Sequence, residues 1–333
     1  MKAATWTSDG TIAVAEVPDP ERGPGLVRVR VASAGICGSD LHAYRRRFSH
    51  AGIPGHEVGG TIDAVGEGVE LAPGTPVAIE PVAGCGVCRH CTQGNPWHCR
   101  ERRFFGGVPH GGMAEFIAVP AGCIHPLPKG VSPSAGALAE PVAVAVRGIH
   151  QGHVGPGSNV VILGAGTVGL VTTVVARAAG ATVSITARHA SQQAMARQLG
   201  ATVFADAEEA VVALHDAEVD CVIETVGGHA STIAEAMRLA SPGARIVLLG
   251  VFEGEPGLPA LALTLKEVEL VGSICYGWHQ GRREFAEAVE LLGRHRETLE
   301  LLVTHRFPLD RALEAFATAD DKTTGSIKVH LEP

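Results

Sequence analysis

The chain has 333 residues, 46% of them apolar, enough for two domains that each bury a core. Its net charge of −8 argues against an electrostatic grip on nucleic acid or an anionic membrane. The start, Met1-Lys2-Ala3-Ala4-Thr5-Trp6, has no signal-peptide core, and the longest apolar run, Val168 to Ala176, is too short to cross a bilayer, so the expected location is the cytoplasm.

Residues 1 to about 130 read as β-rich. Leu26 to Val31 alternates apolar and basic side chains, the pattern of a half-buried strand. Gly59 to Gly66 and Pro76 to Ile79 read as further strands, divided by Pro and Gly clusters. Short strands without long helical periodicity suggest a small barrel. After Pro141 the pattern changes. Asn159 to Leu163 is a continuous apolar run, suited to a strand buried on both faces of a parallel sheet. A helix is expected over 170–179, a strand over 181–185 and a helix over 191–199. Strands at 220–224 and 245–249 flank another helix at 231–239. This alternation predicts a doubly wound α/β sheet. Two amphipathic helices follow, over 283–292 and from an Asp310 N-cap to about Thr318, and a short strand over 327–330 ends the chain.

Eight cysteines without a secretion signal point to metal where they cluster and to packing where they are scattered, as at Cys123, Cys221 and Cys275. Cys85, Cys88, Cys91 and Cys99 have the spacing of a closed, structural zinc site. An iron–sulfur cluster competes for the first three, but Cys99 precedes Arg100 where that motif has a proline. Cys37, His56 and Glu57 offer sulfur, nitrogen and oxygen, the donors of a catalytic zinc with one open position. Ser39 and His42 stand beside them as a proton path. The bland alternative is a buried thiol with two ordinary loop residues.

Gly164, Gly166 and Gly169 form a G-x-G-x-x-G pattern between a buried strand and a helix, with Thr167 and Val168 inside it. There the first glycine allows a tight turn and the second a close approach to a pyrophosphate. The third lets the helix pack on the strand, with the helix N-terminus facing the phosphates. About twenty residues on, Ala187 occupies the place of the acid that binds ribose hydroxyls in NAD sites, and Arg188 and His189 follow. A small residue beside a guanidinium suits a 2′-phosphate, so NADP(H) is expected over NAD(H). The alternative is a solvated Arg188 stacking on adenine, with loose preference.

In their order along the chain, Gly35 to His42, Gly55-His56-Glu57, the four-cysteine segment, Gly111 to Phe116, Ala139-Glu140-Pro141 and Gly164 to Gly169 resemble the zinc-dependent medium-chain dehydrogenases/reductases. The similarity covers nearly the whole length and falls in the branch of polyol, threonine and related alcohol dehydrogenases. It implies a mixed α/β protein. A GroES-like catalytic domain would span 1–140, with a structural zinc lobe at about 84–100. A Rossmann domain with a doubly wound parallel sheet would span 141–280, and residues 281–333 would return to the first domain. It also implies that Cys37 and His56 hold the catalytic zinc, that Glu57 joins them in some states, and that Glu140 completes the shell directly or through water. Ser39 would pass the substrate proton through the cofactor ribose towards His42. A homodimer or homotetramer that pairs Rossmann edge strands is implied as well.

Three alternatives stand beside these roles. His42 caps a turn or touches the cofactor without relaying protons, and Glu140 acts only from outside the ligand shell. The compact loop from Tyr44 to Pro54 carries Arg45, Arg46 and Arg47, either a basic rim for an anionic substrate or a solvated face. The expected reaction is hydride transfer between NADP(H) and a small secondary alcohol or polyol, or the matching ketone. A specialised reductase of a bulkier carbonyl, or a non-catalytic NADP(H)-binding protein, is the alternative.

Overall fold

The structure is a computed structural model that describes residues 1–47, 52–106 and 110–333. The middle of the loop expected to be compact, residues 48–51, lies outside the described residues. The chain divides into two units, Met1–Ala143 with Gly277–Pro333, and Val144–Tyr276.

The first unit opens with a hairpin of β1 (Lys2–Trp6) and β2 (Ile12–Glu16), followed by β3 (Leu26–Gly35). The alternation in β3 buries Val27, Val29 and Val31 and turns Arg30 outward. Helix α1 (Gly38–Arg45) follows, in a stretch whose sequence shows no long helical period because the helix has only eight residues. Next come β4 (Glu57–Val65), β5 (Pro76–Ile79), β6 (Val82–Ala83), α2 (Arg89–Thr92), β7 (Arg103–Phe104), β8 (Phe116–Pro120) and β9 (Ile124–Pro126). Helix α3 (Ala139–Gln151) carries Glu140 in its first turn.

In the second unit β10 (Asn159–Leu163), β11 (Thr182–Thr186), β12 (Thr202–Phe204), β13 (Cys221–Glu224), β14 (Arg245–Leu248) and β15 (Glu269–Gly272) make one parallel sheet in the order β12-β11-β10-β13-β14-β15. Helices α4 (Thr167–Ala178), α5 (Ala190–Gln198), α6 (Ala207–Ala213), α7 (Thr232–Leu239) and α8 (Ala260–Lys266) connect the strands. The order reverses between β10 and β13, so ligands of such sheets bind beyond the carboxyl ends of these two strands. β10 has the bounds read from the sequence, with the exposed Asn159 at its start and Val160 to Leu163 buried on both faces of the sheet.

The remainder of the first unit contributes β16 (Trp278–His279), β17 (Arg282–Arg283), α9 (Glu284–Arg294), α10 (Arg296–Glu300), β18 (Val303–Pro308), α11 (Ala312–Asp320) and β19 (Lys328–Glu332). Asp310 does not cap α11. It lies in a 3₁₀ turn over Leu309–Arg311, and its carboxylate pairs with Lys2 Nζ at 3.2 Å instead. β19 pairs with β18 and β3, which gives the sheet order β18-β19-β3-β4-β5-β9, and β8 pairs with the first half of β3 on the edge whose far end β19 occupies. The core of this unit joins Trp6, Val29, Ile62, Ile117 and Val329 with Phe307 and Phe316.

Candidate active site

Cys37 is the N-cap of α1, and its backbone N–H donates to Asp40 Oδ2 at 2.9 Å. That bond fixes the turn from which the Cys37 sulfur projects. His56 and Glu57 lie where the chain enters β4, both buried. The donor atoms of Cys37, His56 and Glu57 all lie within 4.8 Å of one another. His56 Nδ1 is buried without a hydrogen-bond partner among the described residues, and its separation from Asp40 Oδ1 is 4.0 Å.

Two residues to which the sequence reading gave no role shape this pocket. Lys328 reaches from β19 to donate to Glu57 Oε1 at 2.7 Å, Glu57 Oε2 at 2.6 Å and the Ile36 carbonyl at 2.9 Å. Asp40 is buried beneath Cys37, and burial raises its pKa against the pull of His56. The only sequence signal for Lys328 is a lysine in the terminal strand pattern, 271 positions from its partner.

Glu140 is buried nearby. Burial pushes its pKa up to about 7, and Glu57 adds to the rise while His56 and Lys328 oppose it. Burial disfavours the charged His56 ring, but the Cys37 sulfur, Asp40 and Glu140 together hold its pKa well above the usual imidazole value. Acidic and thiol groups thus converge on a buried space with one lysine. Sulfur, nitrogen and oxygen donors at this spacing suit a zinc ion, whose charge would offset them. Glu140 adjoins this set but is not among the three mutually close donors.

Ser39 and His42 are three residues apart on α1, a spacing that puts them on neighbouring positions of one helix face. Ser39 is exposed and His42 partly buried. Arg45, by contrast, is not a free basic group, because its Nε donates to Asp320 Oδ1 at 2.6 Å.

Cys85, Cys88, Cys91 and Cys99 form the second set of donors within 4.8 Å of one another. The Cys88 N–H points at the Cys85 sulfur at 3.3 Å, and the Cys85 N–H at the Cys99 sulfur at 3.4 Å. Backbone N–H groups from Val87 and Cys88 lower the Cys85 pKa to about 6, which favours the thiolate a metal needs. This is the structural zinc site, closed by four sulfurs.

In the second unit Gly164 leaves β10 with φ +95°, in the region that favours glycine, and its N–H donates to Thr186 Oγ1 at 3.0 Å. Gly166 is the N-cap of α4, and Thr167 and Val168 begin the helix. A Cβ on Gly169 would fall 1.9 Å from the Gly164 carbonyl oxygen, so helix and loop can approach only because it is glycine. This cradle at the sheet's switch point suits the pyrophosphate of NAD(P). Ala187 is buried just past β11, whereas Arg188 and His189 are exposed, His189 as the N-cap of α5. No helix among the described residues is long and apolar enough to cross a membrane.

Comparison with known proteins agrees with this geometry. Residues 23–129 match the model of the alcohol dehydrogenase GroES-like domain, and residues 167–294 that of the zinc-binding dehydrogenases. L-idonate 5-dehydrogenase of Vitis vinifera is 33% identical, covering 90% of this chain and 86% of its own. A zinc-binding dehydrogenase from Sinorhizobium meliloti 1021, solved with NADP bound, superposes with a TM-score of 0.89 at 31% identity, covering 100% of this chain and 99% of its own. An alcohol dehydrogenase from Escherichia coli CFT073, solved with NADH, gives 0.90 at 31% identity over the same shares. The chain therefore belongs to the zinc-binding medium-chain alcohol and polyol dehydrogenases, with a GroES-like domain, a Rossmann domain and zinc-dependent activity on small molecules.

Proposed function

We propose that this dehydrogenase transfers hydride between NADP(H) and a small secondary alcohol or polyol, or the matching ketone. The observation that carries this reading is the approach of Cys37, His56 and Glu57 within 4.8 Å, beside Glu140. Cys37 and His56 would hold the catalytic zinc, with Glu57 and Glu140 as exchangeable or neighbouring oxygen donors. Zinc bound there supplies a Lewis acid that lowers the pKa of the substrate hydroxyl and polarises the carbonyl in the reverse direction. Ser39 would accept the hydroxyl proton as it gives up its own, and His42 on the same helix face would carry that proton towards solvent. Carboxylates near the reacting carbon favour a hydroxylated substrate over a bare hydrocarbon chain.

For the cofactor, Ala187 leaves space at the ribose 2′ position, and the exposed Arg188 guanidinium and His189 ring offer donors to a phosphate there. Gly164, Gly166, Thr167, Val168 and Gly169 would hold the pyrophosphate. The working form is a homo-oligomer, dimer or tetramer. Leu261 and Leu265, 74% and 75% exposed one turn apart on α8, and the edge strand β15 support a self-association surface.

The test is an initial-rate screen crossing NAD and NADP with polyols, sugars, cyclitols, secondary alcohols and their ketones, with Cys37→Ser as control. Turnover with NADP that disappears in Cys37→Ser supports the reading. Turnover with NAD alone overturns the cofactor assignment, and equal turnover by Cys37→Ser overturns the zinc mechanism.

A further inference from the structure

We propose that Phe104 is a positioning residue for His56, and that through it the four-cysteine lobe sets the geometry of the catalytic metal site. This rests on the reading that Cys37, His56 and Glu57 hold the catalytic zinc.

A metal-binding imidazole is usually oriented by a hydrogen bond from its second nitrogen. Among the described residues His56 lacks that bond, because Nδ1 is buried with no hydrogen-bond partner there and the Asp40 carboxylate stays 4.0 Å away. Packing therefore takes over part of the work of orienting the ring. The Phe104 ring lies against it, with centroids 5.3 Å apart and planes inclined at 47°. Two residues further on, the backbone at Gly106 passes so close that a Cβ would fall 2.1 Å from His56 Cβ. The segment from Phe104 to Gly106 thus holds the histidine at its ring and at its stem.

That segment is rooted in the lobe. β7 pairs with β6, placing Phe104 opposite Val82 and Arg103 opposite Ala83. Cys85 follows β6 within two residues, and Cys99 precedes Phe104 by five, with the Arg102 N–H donating to the Cys99 carbonyl at 3.2 Å. Inside the lobe Trp97 meets Phe104 edge-on at 6.1 Å, and the Arg102 guanidinium covers Trp97 at 4.7 Å. A continuous chain of contacts through Arg102, Trp97 and Phe104 therefore runs from the lobe to His56, a ligand of the catalytic site. A closed four-sulfur site has no position for substrate; here its rigidity passes to the histidine.

The experiment compares wild type with Phe104→Ala, Phe104→Leu, Phe104→Tyr and Trp97→Leu. It follows zinc release to a chelator, the visible spectrum of the cobalt-substituted catalytic site, thermal melting, and kcat and KM. Phe104→Ala should release one zinc about ten-fold faster than wild type, the scale typical of support to a metal ligand, while the lobe keeps its own. The cobalt bands should shift, and kcat should fall more than KM rises. Phe104→Leu, which keeps bulk without an aromatic face, should move the same way, Trp97→Leu less far, and Phe104→Tyr should restore wild-type behaviour. Unchanged release and spectra in Phe104→Ala and Phe104→Leu overturn the proposal. So does loss of both metals in step with a lowered melting temperature, which would make the ring merely structural. A wild-type enzyme holding zinc in the lobe alone would instead overturn the reading of the catalytic site, and this proposal with it.

Discussion

The Lys328 ammonium lies 2.7 Å and 2.6 Å from the two oxygens of Glu57, and both side chains are 2% exposed. Burying two ions is tolerable only while each compensates the other, and the bond to the Ile36 carbonyl occupies a further ammonium hydrogen. The same contact holds Glu57 towards the protein, so the lysine competes with a metal for its oxygens. Lys328→Met leaves the carboxylate uncompensated. Unfolding of the zinc-depleted protein by urea should show a loss of about 3–5 kcal/mol. Adding Glu57→Gln should recover most of it, because a neutral amide no longer needs a countercharge. A loss below about 1 kcal/mol in Lys328→Met would show that the pair is not dry.

The four-cysteine lobe makes a different demand. Cys99 is 1% exposed and accepts the Cys85 N–H, so it closes the ring of sulfurs from the inside. Cys99→Ser should lower the zinc content from about two per chain to about one, in keeping with the two donor sets. Limited proteolysis within residues 85–104 should then run faster than in wild type. Retention of two zincs would show that three thiolates suffice.

What the sequence revealed followed from how local each signal is. The run Asn159–Leu163 and the glycines after it were legible because strand, turn and helix lie within twenty residues and each uses residues few other structures need. The four cysteines were legible for the same reason. Asp40 sat inside the recognised motif yet was given no role, because its function depends on burial beneath Cys37. Lys328 was invisible, since nothing near it in sequence marks Glu57 as its partner. The Asp310 cap failed because Lys2, from the opposite end of the chain, claims its carboxylate. The Phe104–His56 contact is likewise a product of tertiary packing, joining β7 to the start of β4.

Arg188 tests the cofactor assignment without touching the metal. An exposed guanidinium that pairs with a 2′-phosphate contributes only when that phosphate is present. Arg188→Ala should raise KM for NADP about ten-fold or more, the loss of one charge-assisted bond, and leave KM for NAD nearly unchanged. Ala187→Asp should go further, repelling the phosphate while offering an acceptor to the ribose hydroxyls of NAD. Equal effects of Arg188→Ala on both cofactors would mean that the arginine only stacks on adenine.

His330 gives the fold a sensitivity to acid that is separate from catalysis. It is 1% exposed in β19, its Nδ1 lies 2.7 Å from Ser33 Oγ, and its Nε2 is buried without a partner among the described residues. Burial holds its pKa well below the ordinary 6.5, with Lys328 and Arg306 adding to the shift. Below about pH 6.5 the unfolded chain therefore binds a proton that the folded chain refuses, and acidification favours unfolding. The stability that the neutral ring allows is complete above that pH and declines as pH falls towards the depressed value. The slope approaches about 1.4 kcal/mol per pH unit from this group alone. His330→Gln keeps a polar partner for Ser33 and cannot titrate. Urea melts at pH 7.5 and 5.5 should therefore show a smaller acid loss for His330→Gln than for wild type. Both proteins should be zinc-loaded, so that protonation of the metal ligands contributes equally to each. Identical losses in the two proteins would show that His330 takes up its proton in the folded state.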